Sequence, residues 1–95
     1  MRVVDLYYYE HEKRRYGEKV IEEWIIREPE REENELLRIS RVGKKYYVIY
    51  AVVPWSIEFE PEYEILVFDS LEELETSEKV KDLRKMFYEW GEKIR

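Results

Sequence analysis

The amino-acid sequence predicts an α+β fold, in which a C-terminal amphipathic helix packs on one face of an antiparallel sheet of four or five strands. Two features lead to this prediction. Residues 35–53 hold two runs of β-branched and aromatic side chains, joined at Gly43, which is typical of a hairpin. Residues 78–94 repeat apolar side chains every three or four positions, as amphipathic helices do. With 95 residues, the chain has the length of a single domain, residues 1–95.

The first strand is predicted over residues 2–10, which read RVVDLYYYE. β-branched and aromatic residues are frequent in strands, and successive side chains of a strand point to opposite faces. Tyr8 therefore lies on one predicted face, and Tyr7 and Tyr9 lie on the other. The segment HEKRRYGE breaks this pattern, and Gly17 is the predicted turn residue.

Residues 18–28 are compatible with a strand or with a helix, and their β-branched residues favour the strand. In that strand, the apolar face that carries Trp24 is interrupted by Glu22. The next segment, PEREEN at residues 29–34, is predicted to be a loop, because Pro29 has no backbone donor and restrains the residue before it.

The run KKYYVIYAVV is the predicted centre of the sheet. Tyr47 and Ile49 face one way, and the residues between and beside them are apolar as well, as expected of a strand that is covered on both faces. Pro54 ends this run. A further strand is predicted at residues 62–68, and a short one at residues 57–59.

Two helices are predicted after the last strand. Ser70 and Glu73 have the spacing of a capping box, and acidic residues in a first turn suit the helix dipole. A break near Thr76–Ser77 then precedes the long helix at residues 78–94. The predicted apolar stripe of that helix consists of Val80, Leu83, Phe87, Trp90 and Ile94.

The composition excludes several kinds of site. The chain has no cysteine for a disulfide or a thiolate metal site, and its one histidine, His11, cannot make a zinc site alone. No apolar stretch reaches the roughly 18 residues that span a membrane, and the start MRVVDL does not fit a signal peptide. Neither a nucleophile–base constellation nor a phosphate-binding glycine loop occurs. We therefore expect a cytoplasmic protein that has no metal or cofactor and is not an enzyme.

The proportion of charged residues is unusually high, at 42%, and the chain has no glutamine and one asparagine. Ion-pair networks stabilise proteins more as temperature rises, and hyperthermophilic proteins avoid thermolabile side chains. We therefore expect an origin in a hyperthermophilic archaeon, or in a virus or plasmid of one. A designed protein would share the surface rich in Glu and Lys.

An acidic block is the strongest anomaly of the chain, which has a net charge of −6. Residues 48–78 hold nine acidic residues and no basic residue. We expect this block to bind a basic host protein, so that the chain acts as a small interaction module, such as an accessory protein or an inhibitor. The predicted acidic partner surface consists of Glu58, Glu60, Glu62, Glu64, Glu72, Glu73 and Glu75.

A nucleic-acid-binding protein is the alternative interpretation. Cations bind phosphates and aromatic rings stack on bases, so a first strand beside the hairpin would create one basic, tyrosine-lined patch. The overall acidity makes this partner less favoured than a protein. The predicted aromatic and basic patch consists of Tyr7, Tyr9, Arg14, Arg15, Arg38, Lys44, Lys45 and Tyr46.

A homodimer is a further expectation. The sheet face opposite the C-terminal helix is predicted to carry Tyr7 and Tyr9, with Trp24 and Tyr46 beside them, which is a large apolar area for a solvated surface. We expect this face to be buried against a second copy of the chain or against another protein.

The run ELLRISRVGKKYYVIYAVV, followed by EYEILVFDS, resembles the central antiparallel strands of RelE/ParE-type toxins. Members of that family are small proteins that cut or block targets linked to the ribosome or to gyrase. The resemblance covers about a third of the chain and implies a toxin as a second alternative function. The acidic charge, the long terminal helix and the scant sign of two helices after the first strand depart from that family.

Overall fold

The computed structural model describes residues 1–95, which form a six-stranded antiparallel sheet and three α-helices. In chain order the elements are β1 (Arg2–Val4), α1 (Leu6–Tyr16), β2 (Glu18–Glu28), a 3-10 helix (Pro29–Arg31), β3 (Glu33–Val42), β4 (Lys45–Pro54), β5 (Glu62–Phe68), α2 (Leu71–Thr76), α3 (Glu78–Trp90) and β6 (Glu92–Lys93). Across the sheet the strand order is β1-β5-β4-β3-β2-β6. The predicted α+β class is confirmed, with six strands in place of four or five.

The hairpin of β3 and β4 lies at the centre of the sheet, as predicted. Val42 pairs with Lys45, so that Gly43 and Lys44 alone form the turn. Gly43 has a φ of 64°, a value that glycine adopts without a steric penalty and that suits the first central residue of a type II′ turn. β4 has a strand on either side, and its side chains are buried or half-buried on both faces.

The strand predicted over residues 2–10 is wrong, because the chain forms helix α1 after the three residues of β1. Asp5 separates the two elements and caps the helix: its side chain accepts a hydrogen bond of 2.8 Å from the backbone N–H of Tyr8. At the other end, Gly17 has a φ of 76°, and its N–H donates to the carbonyl of Lys13. The tyrosine run is therefore the first turn of a helix rather than an alternating strand.

β2 confirms the strand that the β-branched residues of residues 18–28 favoured. Glu22 lies on the same face as Trp24, two residues further along the strand, and a β-bulge between Val20 and Glu22 puts Val20 on the opposite face. The connection predicted at residues 29–34 is shorter than expected, because a 3-10 helix occupies its first half and β3 begins before its end.

β5 lies at residues 62–68, as predicted, whereas residues 57–59 form no strand. Ser70 caps α2 by accepting a hydrogen bond of 3.1 Å from the backbone N–H of Glu73, which confirms the capping prediction at this position. The break near Thr76–Ser77 is also confirmed, since α2 ends and α3 begins there.

α3 ends at Trp90 rather than at residue 94, because Gly91 leaves the helix and a short strand follows. A side chain at Gly91 would lie 2.7 Å from the carbonyl oxygen of Phe87, so this close turn requires glycine. The first part of the predicted apolar stripe is buried, whereas Trp90 and Ile94 are exposed and do not belong to the core.

Helices cover the sheet on both faces. α2 and α3 cover one face, here called the α3 face, over a core of Ile26, Leu37, Ile39, Val48, Leu66, Phe68, Leu74, Val80, Leu83 and Phe87. The C-terminal helix thus packs as predicted. α1 packs on the other face, here called the α1 face, where its buried side chain Tyr9 joins Val42, Tyr47, Ile49, Ile65 and Val67. No helix of the protein has both the length and the apolar character that crossing a membrane requires.

Candidate functional site

The structure divides the predicted acidic partner surface into two groups. The loop between β4 and β5, residues 55–61 and here called the β4–β5 loop, and strand β5 itself carry Glu58, Glu60, Glu62 and Glu64. Helix α2 carries Glu72, Glu73 and Glu75. The seven carboxylates therefore do not form one continuous block, although they are close together in sequence.

Three of the seven carboxylates are engaged in ion pairs within the chain. These pairs are Glu73 with the α-amino nitrogen of Met1 at 2.5 Å, Glu75 with Arg84 at 2.6 Å, and Glu64 with Lys79 at 3.0 Å. Glu58, Glu60, Glu62 and Glu72 have no ion pair. Since three of these four lie in or directly after the β4–β5 loop, the candidate partner surface narrows to that loop.

The β4–β5 loop also exposes three large apolar side chains. Ile57 is fully exposed, Phe59 is 65% exposed and Trp55 is 51% exposed. Apolar side chains at alternate positions are thus interleaved with carboxylates along one short segment of chain. Neighbouring exposed apolar side chains of this size mark interaction surfaces more often than isolated ones do. The carboxylates of this loop were predicted from the sequence, whereas the exposed apolar side chains were not, because residues 57–59 were predicted to form a short strand.

Hydrogen bonds hold the first half of the loop in place. The backbone N–H of Trp55 donates to the carbonyl of Glu32 at 2.8 Å, and its indole Nε1 donates to the Asn34 side chain at 3.0 Å. Ser56 accepts from the N–H of Glu58 at 3.2 Å through its hydroxyl. The Trp55 ring is therefore presented in one orientation against the start of β3.

A depression of about 370 Å³ separates the loop from the 3-10 helix. Phe59 and Val52 contribute apolar surface to it, and one cation, Arg31, lies on its wall. The acidic residues of the wall are Glu32, Glu33, Glu60 and Glu62. A positively charged side chain from another protein would fit this wall better than a negative one.

The predicted aromatic and basic patch does not exist as one surface. Tyr7 is exposed on the outside of α1, whereas Tyr9 is buried between α1 and the sheet. Tyr46 is half-buried on the opposite face, beside the α3-face core, and Trp24 lies there too. The reason is the helix: residues two apart share a face of a strand but point in nearly opposite directions from a helix. The homodimer stays a prediction. The uncovered aromatic sheet face on which it was based does not occur, because α1 covers that face.

Arg38 lies on the α1 face, where its guanidinium is bound to carboxylates of the chain itself. Its Nε donates to Glu23 at 2.5 Å, and its Nη1 lies 3.5 Å from Glu18 and 3.4 Å from the Tyr9 hydroxyl. Burial disfavours the charged guanidinium, but the hydrogen bonds to Glu23 and Tyr9 and the negative charges of Glu23 and Glu18 together outweigh burial and raise the pKa of Arg38. Arg38 therefore compensates the two carboxylates that β2 buries here.

The Tyr9 hydroxyl completes this network by donating to Glu18. Burial of the ring raises the pKa of Tyr9, and the hydrogen bond to the Glu18 carboxylate raises it further. The Tyr9 hydroxyl therefore keeps the proton that it donates to Glu18 up to a higher pH than a solvated tyrosine would. This arrangement explains why Tyr9 packs inward although its neighbour Tyr7 is solvated.

Two basic clusters of the sequence, at residues 11–15 and residues 38–47, approach each other in the structure. α1 ends beside the β3–β4 turn, because the ring of Tyr16 lies against Gly43. The predicted residues Arg14 and Arg15 lie in the last turn of α1, and Lys44 and Lys45 lie in the turn and at the start of β4, so all four are at this end of the molecule. Lys19 and Arg41, which were not among the predicted patch residues, line a depression beside Tyr16 at the same end. These six residues, Arg14, Arg15, Lys19, Arg41, Lys44 and Lys45, are here called the basic end.

No group of three or more His, Asp or Glu side chains is arranged to hold a metal ion. Comparisons of the chain with protein-family models, with curated proteins and with solved structures gave no match. The resemblance to RelE/ParE-type toxins therefore stays a prediction from the sequence, and one helix rather than two follows β1.

Proposed function

We propose that the chain is a non-enzymatic protein-interaction module that binds a basic partner through its β4–β5 loop. The observation that carries this proposal is the exposure of Trp55, Ile57 and Phe59 next to carboxylates that have no ion pair. The apolar side chains supply the driving force for association, and the carboxylates select a partner of positive charge.

The apolar side chains of the loop are large enough to support binding. Full burial of a side chain such as Ile57 or Phe59 is worth about 1.5 to 3 kcal/mol relative to its exposed state. Aromatic side chains, and tryptophan above all, often dominate the energy of protein interfaces. Trp55 is already fixed by two hydrogen bonds to β3 and to the turn before it, so its ordering costs little entropy on binding.

We infer an accessory or inhibitory role in a hyperthermophilic archaeon, or in a virus or plasmid of one. The support for this inference is the composition: charged residues make up 42% of the chain, and thermolabile glutamine and cysteine are absent. An acidic, apolar loop would occupy the basic surface of a host protein and so block its normal ligand.

The proposal is tested by replacing two exposed side chains of the loop, in the double variant Ile57→Ser and Phe59→Ser. Since both side chains face solvent, we expect the fold and the stability to change by less than about 1 kcal/mol. We expect the amount of partner protein that the tagged chain retains from a host extract to fall at least about tenfold, a loss that corresponds to burial of one such side chain.

The matched control is the double variant Tyr7→Ser and Leu71→Ser, which also removes two exposed apolar side chains but leaves the β4–β5 loop intact. It should retain the same partner at the level of the unmodified chain. Equal losses in both variants, or unchanged retention in the loop variant, would show that the loop is not the contact surface.

A further inference from the structure

The basic end is assembled by a close contact between helix α1 and the β3–β4 turn. A Cβ atom at Gly43 would lie 3.2 Å from Cγ of Tyr16, so the absence of a side chain allows the ring to lie directly on the turn. Tyr16 remains 54% exposed in this position. Its ring therefore forms a solvated aromatic ridge at the end of the sheet.

A depression lies on each side of the Tyr16 ridge, and each contains two cations. One depression, of about 400 Å³, is lined by Lys19 and Arg41. The other, of about 530 Å³, is lined by Lys44 and Lys45. Arg15 adds a fifth cation, since its guanidinium lies 5.0 Å from the centre of the Tyr16 ring.

Most cations of the basic end have no carboxylate partner. Lys45 pairs with Asp69 at 3.5 Å. The others, Arg14, Arg15, Lys19, Arg41 and Lys44, form no ion pair, although many cations elsewhere in the chain do. Uncompensated like charges on one surface repel each other, and an anionic ligand relieves that repulsion.

Two carboxylates lie in the same depressions and reduce the positive potential only in part. Glu18 is engaged by Arg38 and by the Tyr9 hydroxyl. Glu12 lines the second depression, next to the two lysines. Five unpaired cations against these two acids leave an excess of positive charge at this end.

The helix dipole accounts for part of the charge but not for all of it. Arg14 and Arg15 lie in the last turn of α1, where cations stabilise a helix. Lys19, Arg41 and Lys44 lie on β2, β3 and the turn, where no helix terminus requires them. A ligand that binds the whole basic end would explain why Lys19, Arg41 and Lys44 are placed there, which the helix dipole does not explain.

We propose that the basic end binds single-stranded nucleic acid, with one base stacked on Tyr16 in place of the Arg15 guanidinium, which turns to a phosphate, and with phosphates of the flanking nucleotides in the two depressions. An aromatic ring between cationic grooves fits a flexible single strand, whose bases are available for stacking. A duplex presents phosphates but no unstacked base, so it should bind more weakly. This binding site is separate from the β4–β5 loop, which lies at the opposite end of the strands.

The test is a fluorescence-anisotropy titration of the whole chain against labelled oligothymidine of about 12 nucleotides, at about 50 mM and about 200 mM salt. We expect a Kd in the micromolar range at the lower salt. The logarithm of the binding constant should fall with the logarithm of the salt concentration with a slope of about −2 to −4, since about three to five phosphates are neutralised. Absence of binding at the lower salt overturns the proposal.

Two variants measure separately what the cations and the Tyr16 ring contribute to binding. The double variant Arg15→Ala and Lys44→Ala should weaken binding at least about tenfold and flatten the salt slope. Tyr16→Leu should weaken binding by about 5- to 100-fold while the salt slope stays unchanged, because stacking releases no counterions. A Tyr16→Leu variant that binds normally overturns the proposed stacking site.

The control variant is Arg31→Ala with Lys85→Ala, which removes the same charge from exposed positions outside the basic end. It should bind like the unmodified chain. Weakening equal to that of the Arg15 and Lys44 variant would mean that net charge alone matters and would refute the site. Duplex DNA and inorganic polyphosphate serve as competitors, and equal or tighter binding of either would also refute recognition of a single strand.

Discussion

Glu22 is a buried carboxylate that its neighbours hold in the charged form. It lies 2.8 Å from Arg84, and it accepts hydrogen bonds from Trp24 Nε1 at 2.9 Å and from the Tyr88 hydroxyl at 3.1 Å. Burial raises the pKa of Glu22, but the hydrogen bonds from Trp24, Arg84 and Tyr88 and the positive charge of Arg84 together outweigh burial and lower this pKa below its usual 4.5. The carboxylate thereby ties β2 to α3.

The substitution Glu22→Gln should destabilise the protein by about 2 to 4 kcal/mol near pH 7, since it leaves Arg84 partly buried without this carboxylate. A group with a lowered pKa stabilises the fold at pH values above its unfolded pKa. Its contribution is lost as the pH falls below 4.5 toward the folded pKa. Denaturant unfolding of both proteins over this pH range should therefore show a difference that shrinks in acid.

The control for this experiment is Glu89→Gln, an exposed position of α3 without an ion pair. It should change the free energy of unfolding by less than about 0.5 kcal/mol at every pH. If the effect of Glu22→Gln stayed constant down to pH values well below 4.5, the charged form of Glu22 would not be the stabilising one.

Contacts such as those of Glu22 could not be predicted from the sequence. Along residues 18–28, Glu22 interrupts an apolar face, which argues weakly against a strand. Its partner Arg84 is 62 positions away in the sequence, and the packing of α3 on this face of the sheet brings the two side chains together. A local pattern shows that a charge is out of place, but only the tertiary structure shows what compensates it.

At the scale of elements, the tyrosine run shows where strand and helix signals compete. Alternation of β-branched and aromatic residues favours a strand over residues 2–10. The capping residue Asp5 and the terminating Gly17 were visible in the sequence and bound the helix that forms. By contrast, β3, β4 and β5 were predictable, because all three are rich in β-branched and aromatic residues, β4 is apolar on both faces, and Gly43 and Pro54 mark the ends of the runs.

The contact between α1 and the β3–β4 turn makes Gly43 a sensitive position. Gly43→Ala should lower the free energy of unfolding by about 1 to 2 kcal/mol, since alanine is strained at a φ of 64° and its Cβ meets the Tyr16 ring. When Tyr16 is also replaced by alanine, Gly43→Ala should lower the free energy of unfolding by less, because the new Cβ no longer meets the Tyr16 ring. Denaturant unfolding of the four proteins of this cycle measures the difference.

Gly17→Ala is the matched control, because Gly17 has a φ of 76° and a Cβ placed there would meet no atom within 4 Å outside the two adjoining residues, so that its cost comes from backbone strain. Its cost should be the same with and without the Tyr16 side chain. Additive effects of Gly43→Ala and Tyr16→Ala would mean that the ring does not contribute to the position of the turn.

At the scale of the whole molecule, charge is segregated along the strands. The pairs Val42–Lys45 and Glu18–Val42 place the basic end at one end of the sheet. The pairs Glu28–Glu33 and Val52–Glu62 place the β4–β5 loop and the acidic turn before β3 at the other. Ten-residue strands separate the two ends by about 33 Å. The two ends of the strands thus carry one basic and one acidic surface, which can engage partners of opposite charge.

This polarity was only partly visible in the sequence. The acidic run after β4 and the basic clusters at residues 11–15 and 38–47 are evident as local charge patterns. Their positions depend on sheet register and on the direction of α1, which are set by long-range contacts. Some carboxylates of the acidic run form ion pairs within the chain, such as Glu75 with Arg84, and a local sequence pattern cannot show these pairs.

The most direct test of the account is site-specific photo-crosslinking from the fully exposed position 57 of the β4–β5 loop. A photoreactive residue there should form a crosslink to a basic partner protein, and the yield should fall as salt is raised. The same residue at position 7 of α1, which is 85% exposed, should give no crosslink to that protein. A partner that is captured from position 7 but not from position 57 would contradict the assignment of the β4–β5 loop as the contact surface.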